Sequence, residues 1–419
     1  MLARHVEPII ARSFASFPVV TITGARQVGK STLVQKIAAG VKARYLTLDD
    51  RATLDAALAD PDALVEGQAG PVVLDEVQRA PDLMRAVKKV VDARRRPGMF
   101  ILTGSAHLST LSTVAESLAG RAALHELYPL SWTEVTKQPA STIIDTLFSA
   151  STAVKLVASR RGRATLGRRA ELVTRILSGG FPTPALMRDR EARRTWFESY
   201  RQTYLERDVR DLAATTDLPG FNRLATLASL RTGQILNVSD LARDAGLPTT
   251  TARRHFDALQ QTYQLFTVRP YFANVGKRLI KTPKIYVTDT GLGCHLMAID
   301  EWETAERQQR AGALIETFVA QELSKLLALA PGRTHLWFWR VEHGREVDFL
   351  LERGGEVVGI EVKSTSGASA SDLAGLRACQ EALGKRFRLG VLLYNGTETL
   401  ALDDRLIAMP ISVFLGRDS

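Results

Sequence analysis

Cysteine is nearly absent: the 419 residues hold two, Cys294 and Cys379. Two thiols cannot build a disulfide framework, nor a zinc site of their own. No apolar run of about 18 residues occurs, so no membrane-spanning helix is expected. The opening MLARHVEPIIARSF lacks the apolar core and small-residue cleavage site of a secretory signal, so the default expectation is the cytoplasm. There is no internal repeat and no long low-complexity segment. Hydrophobic residues make up 45% and charged residues 24% of the chain. Those values exclude collagen, a coiled-coil rod and a largely disordered chain. At roughly 100–200 residues per domain, the length suggests two to four domains. Lys plus Arg outnumber Asp plus Glu by 55 to 45, a net charge of +10. Such a balance favours a polyanionic partner without identifying one.

The chain opens with strand signals that alternate with helical ones, the pattern of a parallel α/β sheet. FPVVTIT (17–23) runs into a Gly-rich loop and an apolar helix pattern at Leu33, Val34, Ile37 and Ala38. Pro71–Leu74 ends in Asp75-Glu76, and Met99–Leu102 ends in Thr103-Gly104-Ser105. This first domain is placed at 1–140. Residues 141–220 are helical in pattern, Arg-rich between 160 and 169, and interrupted by the turn signal Gly179-Gly180-Phe181-Pro182. They are expected to form a lid or connector. Residues 221–300 carry two short helices around Gly246-Leu247-Pro248, then two strand signals, the order of a winged helix. Residues 310–419 open with an amphipathic helix and continue as a small α/β domain.

Gly24-Ala25-Arg26-Gln27-Val28-Gly29-Lys30-Ser31, followed by Thr32, fits G-x-x-x-x-G-K-[ST] between a strand and a helix. Glycines let backbone N–H groups wrap phosphates, and the helix N-terminus adds partial positive charge. Lys30 would reach the β- and γ-phosphates, and the Ser31 hydroxyl would ligate Mg²⁺. Asp75, delivered by an apolar strand beside that loop, would hold Mg²⁺ directly or through water. Glu76 would polarise the attacking water as general base. Thr103 would contact the γ-phosphate or that water; as the alternative, its hydroxyl caps the next helix. The expected ligands are therefore ATP and Mg²⁺. Arg121 is either a finger reaching a neighbouring subunit's γ-phosphate, which requires a homo-oligomer, or a surface arginine.

GARQVGKST, LDEVQ, LTGSA, LAGR, PLSWTE, GGFP and YLERDVRDL occur in that order. Together they resemble the prokaryotic AAA+-type P-loop ATPases that carry a C-terminal domain of unknown function, over nearly the whole chain. The resemblance implies an AAA+ fold for 1–140. It assigns Lys30 to Walker A, Asp75 and Glu76 to Walker B, Thr103 to the sensor and Arg121 to the finger. It also implies action on DNA, branched DNA included.

Residues 231–290 hold nine Lys or Arg against four Asp or Glu. Thr250, Arg253 and Arg254 begin the second helix, where hydroxyls and guanidiniums would meet phosphates and base edges. Lys277 and Arg278 fall in the wing. The alternative is a protein-docking module or ATPase lid. His255 on this helix is expected at the surface.

In the last domain Glu316 lies on a helix, Asp348 on a strand, and Glu361 and Lys363 two apart on the next strand, hence on one face. That order resembles the PD-(D/E)XK fold of restriction-endonuclease-like nucleases, with Val347 where the family has proline. The resemblance implies Mg²⁺ held by Asp348 and Glu361, with Lys363 orienting water or stabilising the scissile phosphate. The alternatives are an ordinary salt-bridged surface, or a degenerate fold that binds DNA without cutting. Trp337 and Trp339 share a face, for core packing or for base stacking. The leading expectation is a DNA-associated ATPase. The others are an ATP-dependent signalling or defence switch with the C-terminal domain as effector, and a non-enzymatic DNA-binding regulator.

Overall fold

The computed structural model describes residues 2–68, 70–104, 118–159, 166–205, 217–272, 281–330, 332–341 and 344–416. They form two compact units, one of residues 1–130 with 258–264, the other of 131–257 with 265–419.

The first unit is a five-stranded sheet ordered β2-β3-β4-β1-β5, from β1 (Val19–Thr23), β2 (Arg44–Thr47), β3 (Val72–Asp75), β4 (Phe100–Thr103) and β5 (Ala122–Glu126). All neighbours are parallel. Such a sheet needs cover on both faces, so its central strands read as continuous β-branched and aliphatic runs. Helices α1 (Glu7–Ser16), α2 (Lys30–Val41), α3 (Arg51–Ala59), α4 (Pro61–Glu66) and α5 (Leu83–Arg94) accompany it. The α5 residues Leu83, Met84, Val87, Val90 and Val91 share one core with Leu74, Phe100 and Leu102. The strand order matters for function. β4 lies between β1 and β3, so the ends of all three open at one edge of the sheet.

The second unit holds an eight-stranded mixed sheet ordered β12-β13-β11-β10-β9-β8-β6-β7. Its strands are β6 (Leu265–Pro270), β7 (Lys284–Val287), β8 (His335–Arg340), β9 (Glu346–Arg353), β10 (Glu356–Val362), β11 (Phe387–Tyr394), β12 (Leu400–Ala401) and β13 (Leu406–Pro410). The helix Ala311–Leu329 contributes Leu314, Phe318, Val319 and Leu323 to one core, with Phe349, Ile360 and Val391. The helix Ala374–Leu383 places Leu376 and Cys379 in a second core with Leu350, Val357 and Leu392.

Two boundaries drawn from sequence differ from this arrangement. The hairpin β6–β7 joins the C-terminal sheet through the parallel pairing of Arg269 with Trp337 and Pro270 with Phe338, so no break separates residues 221–300 from 310–419. Leu172 and Ile176, from the segment expected as a connector, lie in the same core as the helix Ala311–Leu329. Among the described residues, no helix is long and apolar enough to cross a membrane.

Candidate active site and nucleic-acid face

The Gly24 loop leaves the end of β1 and enters α2. Gly24 has φ +141°, and a Cβ there would stand 2.3 Å from the Leu127 carbonyl oxygen, so the close approach of two backbones requires glycine. Gly29 caps α2 in the left-handed region at φ +95°. Lys30 is 5% exposed, and its ammonium donates to the carbonyls of Gly24 and Ala25, each at 2.9 Å. Ser31 is half-buried beside it, and Thr32 is exposed. Arg26 and Gln27 line the turn, Gln27 at φ 60°, while Val28 is buried. Arg4 clamps the loop from behind, donating to the Val28 carbonyl at 2.8 Å and the Tyr128 carbonyl at 2.6 Å.

Asp75 and Thr103, at the ends of β3 and β4, are both buried, and the Thr103 hydroxyl donates to one Asp75 oxygen. The Tyr45 hydroxyl donates to the other. Burial first, and then that carboxylate, push the Tyr45 phenol up to about 12. Glu76 follows in the left-handed region at φ 60°, its N–H donating to Thr103 Oγ1 at 3.3 Å and its carboxylate accepting from the Gln78 amide. The structure thus gathers Lys30, Asp75, Glu76 and Thr103 at one sheet edge.

Arg121 stands elsewhere. It precedes β5, whose Ala122 pairs with Val19 at the start of β1, while the Gly24 loop leaves the far end. A five-residue strand at about 3.3 Å per residue separates the two ends. Arg121 makes a two-pronged pair with Asp92 of α5, at 2.6 and 3.0 Å. That hydrogen-bonded guanidinium holds the Asp92 carboxyl below its ordinary range.

Sequence reading missed Tyr45, Asp92 and Glu126. Tyr45 and Asp92 sit in ordinary amphipathic segments that give no signal. Glu126 faces Thr23 across the β1–β5 register, and burial pushes its carboxyl up to about 7 despite a hydrogen bond with Tyr128.

The helix Val238–Ala245 ends on Gly246 in the left-handed region at φ 66° and the helix Thr249–Gln261 follows. Thr250, Arg253 and Arg254 are exposed on one side, and Ala252, Phe256 and Leu259 are buried on the other. His255 departs from expectation: it is fully buried, edge-on to Phe221 at 5.6 Å, and desolvation lowers its pKa. Its position, three after Ala252 and four before Leu259, places it on the apolar stripe. Lys277 and Arg278 lie outside the described residues.

The four residues singled out in the last domain do converge. Asp348 on β9 accepts from the Val362 N–H at 2.9 Å, and Lys363 donates to Glu361 at 2.7 Å. Glu316 adjoins them from its helix, accepting from the Tyr286 hydroxyl at 2.8 Å. Burial first, and Asp348 second, raise the pKa values of both Glu316 and Glu361. Lys284, the residue missed here, opens β7. It is 3% exposed and pairs with Glu316 at 3.1 Å, with Asp348 at 3.6 Å and with Glu346. Burial alone would lower its pKa, but Glu316, Asp348 and Glu346 outweigh that and raise it. A Lys heading an apolar strand, KIYV, was the available signal.

This set does not fit a metal ion as it stands: the Lys284 ammonium pairs with Glu316, Glu346 and Asp348, and that of Lys363 with Glu361. No metal-type group of three or more His, Cys, Asp or Glu occurs among the described residues.

The GGFP turn has a structural account. Gly180 donates to the buried Asp289 carboxylate at 2.7 Å, and Asp289 also caps the helix Thr290–Leu296 through the Leu292 N–H at 2.9 Å. A Cβ on Gly179 would stand 2.1 Å from that carboxylate. Phe181 packs on Trp196 and Tyr200. Most of YLERDVRDL lies outside the described residues. Trp339 is buried and Trp337 partly so, both in one apolar cluster.

Residues 16–136 match the family described as AAA domain. Residues 169–303 and 311–414 match two domains of unknown function, DUF8612 and DUF4143. The uncharacterized proteins Rv2008c of Mycobacterium tuberculosis and Mb2031c of Mycobacterium bovis are each 34% identical over 409 residues, 97% of this chain and 83% of theirs. Among solved structures, the Walker-type ATPase PABY2304 of Pyrococcus abyssi is 13% identical with a TM-score of 0.43, covering 71% of this chain and 96% of that one. The RuvB Holliday junction branch migration motor of Thermotoga maritima is 15% identical with a TM-score of 0.31, covering 63% and 89%.

Proposed function

The chain belongs to the AAA-type P-loop ATPases that carry this C-terminal domain, shared with its two mycobacterial relatives, and from that premise we propose that it couples ATP hydrolysis to work on DNA. The nucleotide site supports ATP and Mg²⁺ as ligands. The Gly24–Lys30 cradle presents backbone N–H groups and a buried ammonium to phosphate. Ser31 and Asp75 would hold Mg²⁺, which when bound supplies charge neutralisation on the phosphates. Glu76 accepts a proton from the attacking water, and Thr103 fixes the carboxylate of Asp75 and the backbone of Glu76. Arg121 serves a second copy of the chain, since it stands at the opposite end of the sheet from its own phosphate loop. That role makes the active form an oligomer, and it requires Asp92 to release the guanidinium.

The observation that carries the DNA reading is the exposed face of Thr250, Arg253 and Arg254 on a helix whose opposite face is core. We read helices Val238–Ala245 and Thr249–Gln261 with hairpin β6–β7 as a winged helix, and Lys277 and Arg278 as its wing. The C-terminal domain is read as nuclease-like, with Glu316, Asp348, Glu361 and Lys363 as its centre.

The test is ATP hydrolysis with Mg²⁺, alone and with single-stranded, duplex and four-way-junction DNA, for the native chain and Glu76→Gln. Stimulation by one DNA form, absent in the variant, supports the reading. Hydrolysis indifferent to every DNA, with no binding at low salt, overturns it in favour of an ATP-dependent switch.

A further inference from the structure

Resting on the nuclease-like reading of the C-terminal centre, we infer that Lys284 is a built-in cation that closes this centre to metal. The ammonium of Lys284 is surrounded by Glu316, Glu346 and Asp348. Glu316 accepts a hydrogen bond from it at 3.1 Å, Glu346 pairs with it closely, and Asp348 stands 3.6 Å away as an ion pair. The side chain is buried on the strand β7, so no solvent competes for it. A small divalent cation would take the same oxygens, at about 2.0–2.6 Å. Both cations cannot occupy one set of ligands, so Lys284 excludes the metal.

A second observation shows that the centre is not merely a salt-bridged core. Glu361 is 8% exposed, Lys363 occupies its Oε1, and its Oε2 is buried without a hydrogen-bond partner among the described residues. A buried carboxylate oxygen left unpaired is costly in a static network. Four carboxylates and two ammonium groups leave the centre formally negative, and withdrawal of Lys284 makes it more so.

The lock comes from outside the nuclease-like fold. Lys284 opens β7, and the hairpin β6–β7 is hydrogen-bonded into the C-terminal sheet. Any movement of the hairpin that draws Lys284 out would open the carboxylates to a divalent cation.

The experiment is Mn²⁺ binding by electron paramagnetic resonance, on the full chain without nucleotide. It compares the native protein with Lys284→Met, Lys284→Arg, and Lys284→Met combined with Glu316→Gln. The combined variant removes a positive and a negative charge together, which keeps a foldable protein in the test should Lys284→Met alone unfold. Lys284→Met and the combined variant are expected to gain one Mn²⁺ per chain, bound at least tenfold more tightly than any Mn²⁺ on the native protein. Lys284→Arg gains none, and adding Asp348→Asn abolishes the gain. A native chain that already binds one Mn²⁺, lost in Asp348→Asn, overturns the lock while leaving the nuclease-like reading in place. Folded variants without Lys284 that bind no Mn²⁺ overturn the lock and that reading together.

Discussion

Lys30 and Lys284 are both buried ammonium groups, placed in two chemically opposite settings. Lys30 rests on the carbonyl oxygens of Gly24 and Ala25, neutral dipoles of its own loop. Lys284 rests on Glu316, Asp348 and Glu346, full charges that hold it more firmly than dipoles do. The first arrangement is exchangeable, because phosphate oxygens outcompete carbonyls for an ammonium. The second is held by opposite full charges and resists exchange. A lysine's burial therefore says little about its role; the charge of its partners decides whether it waits for a ligand or replaces one.

The largest expected effects fall on the exchangeable lysine. Lys30→Ala and Arg121→Ala should each lower kcat for ATP by about 10³-fold. They should do so from different chains. Mixing the two variants restores hydrolysis, because one supplies an intact phosphate loop and the other an intact arginine. If mixtures stay as inactive as either variant alone, Arg121 does not act in trans. Asp92→Asn, which frees the guanidinium, should raise the rate of the native assembly.

Stability should invert that ranking. Removing one partner of a buried charge cluster costs about 3–5 kcal/mol, so Lys284→Met should lower the urea midpoint of the second unit sharply. Lys30→Ala breaks only hydrogen bonds to carbonyls and should cost about 1 kcal/mol. Equal losses for both would erase the distinction drawn between them. Gly24→Ala falls between, at about 1–3 kcal/mol, through the overlap with the Leu127 carbonyl. It should abolish nucleotide binding as well.

The exchangeable site was legible in sequence because its geometry is local. Eight consecutive residues set the loop, and two apolar runs deliver Asp75 and Thr103 at strand ends. The ion-paired site was only half legible. Glu316, Asp348, Glu361 and Lys363 announce themselves by spacing, yet Lys284 comes from a hairpin assigned to a different domain. Nothing local shows that Arg269–Pro270 pairs with Trp337–Phe338 and carries that hairpin into the C-terminal sheet. His255 was misjudged for a related reason: a polar residue on an apolar stripe was read by its chemistry instead of its period. The Asp92–Arg121 pair was invisible because its members lie 29 residues apart.

A pH-dependent effect concerns Glu126, where the first unit too buries a carboxyl, beside its phosphate loop. Its pKa stands at about 7 against an ordinary 4.5, raised by burial. Between those values the folded chain binds more protons than the unfolded chain, so stability falls as pH rises through that window. Glu126→Gln removes the titration. At pH 5 the variant and the native chain should unfold at nearly the same urea concentration. At pH 8 the variant should be more stable by about 2 kcal/mol, discounted from the full shift because the group is only partly buried. A difference that does not change with pH would mean that Glu126 is not held in a desolvated site. It would then remove the contrast with Lys284, whose carboxylate partners keep it charged despite its burial.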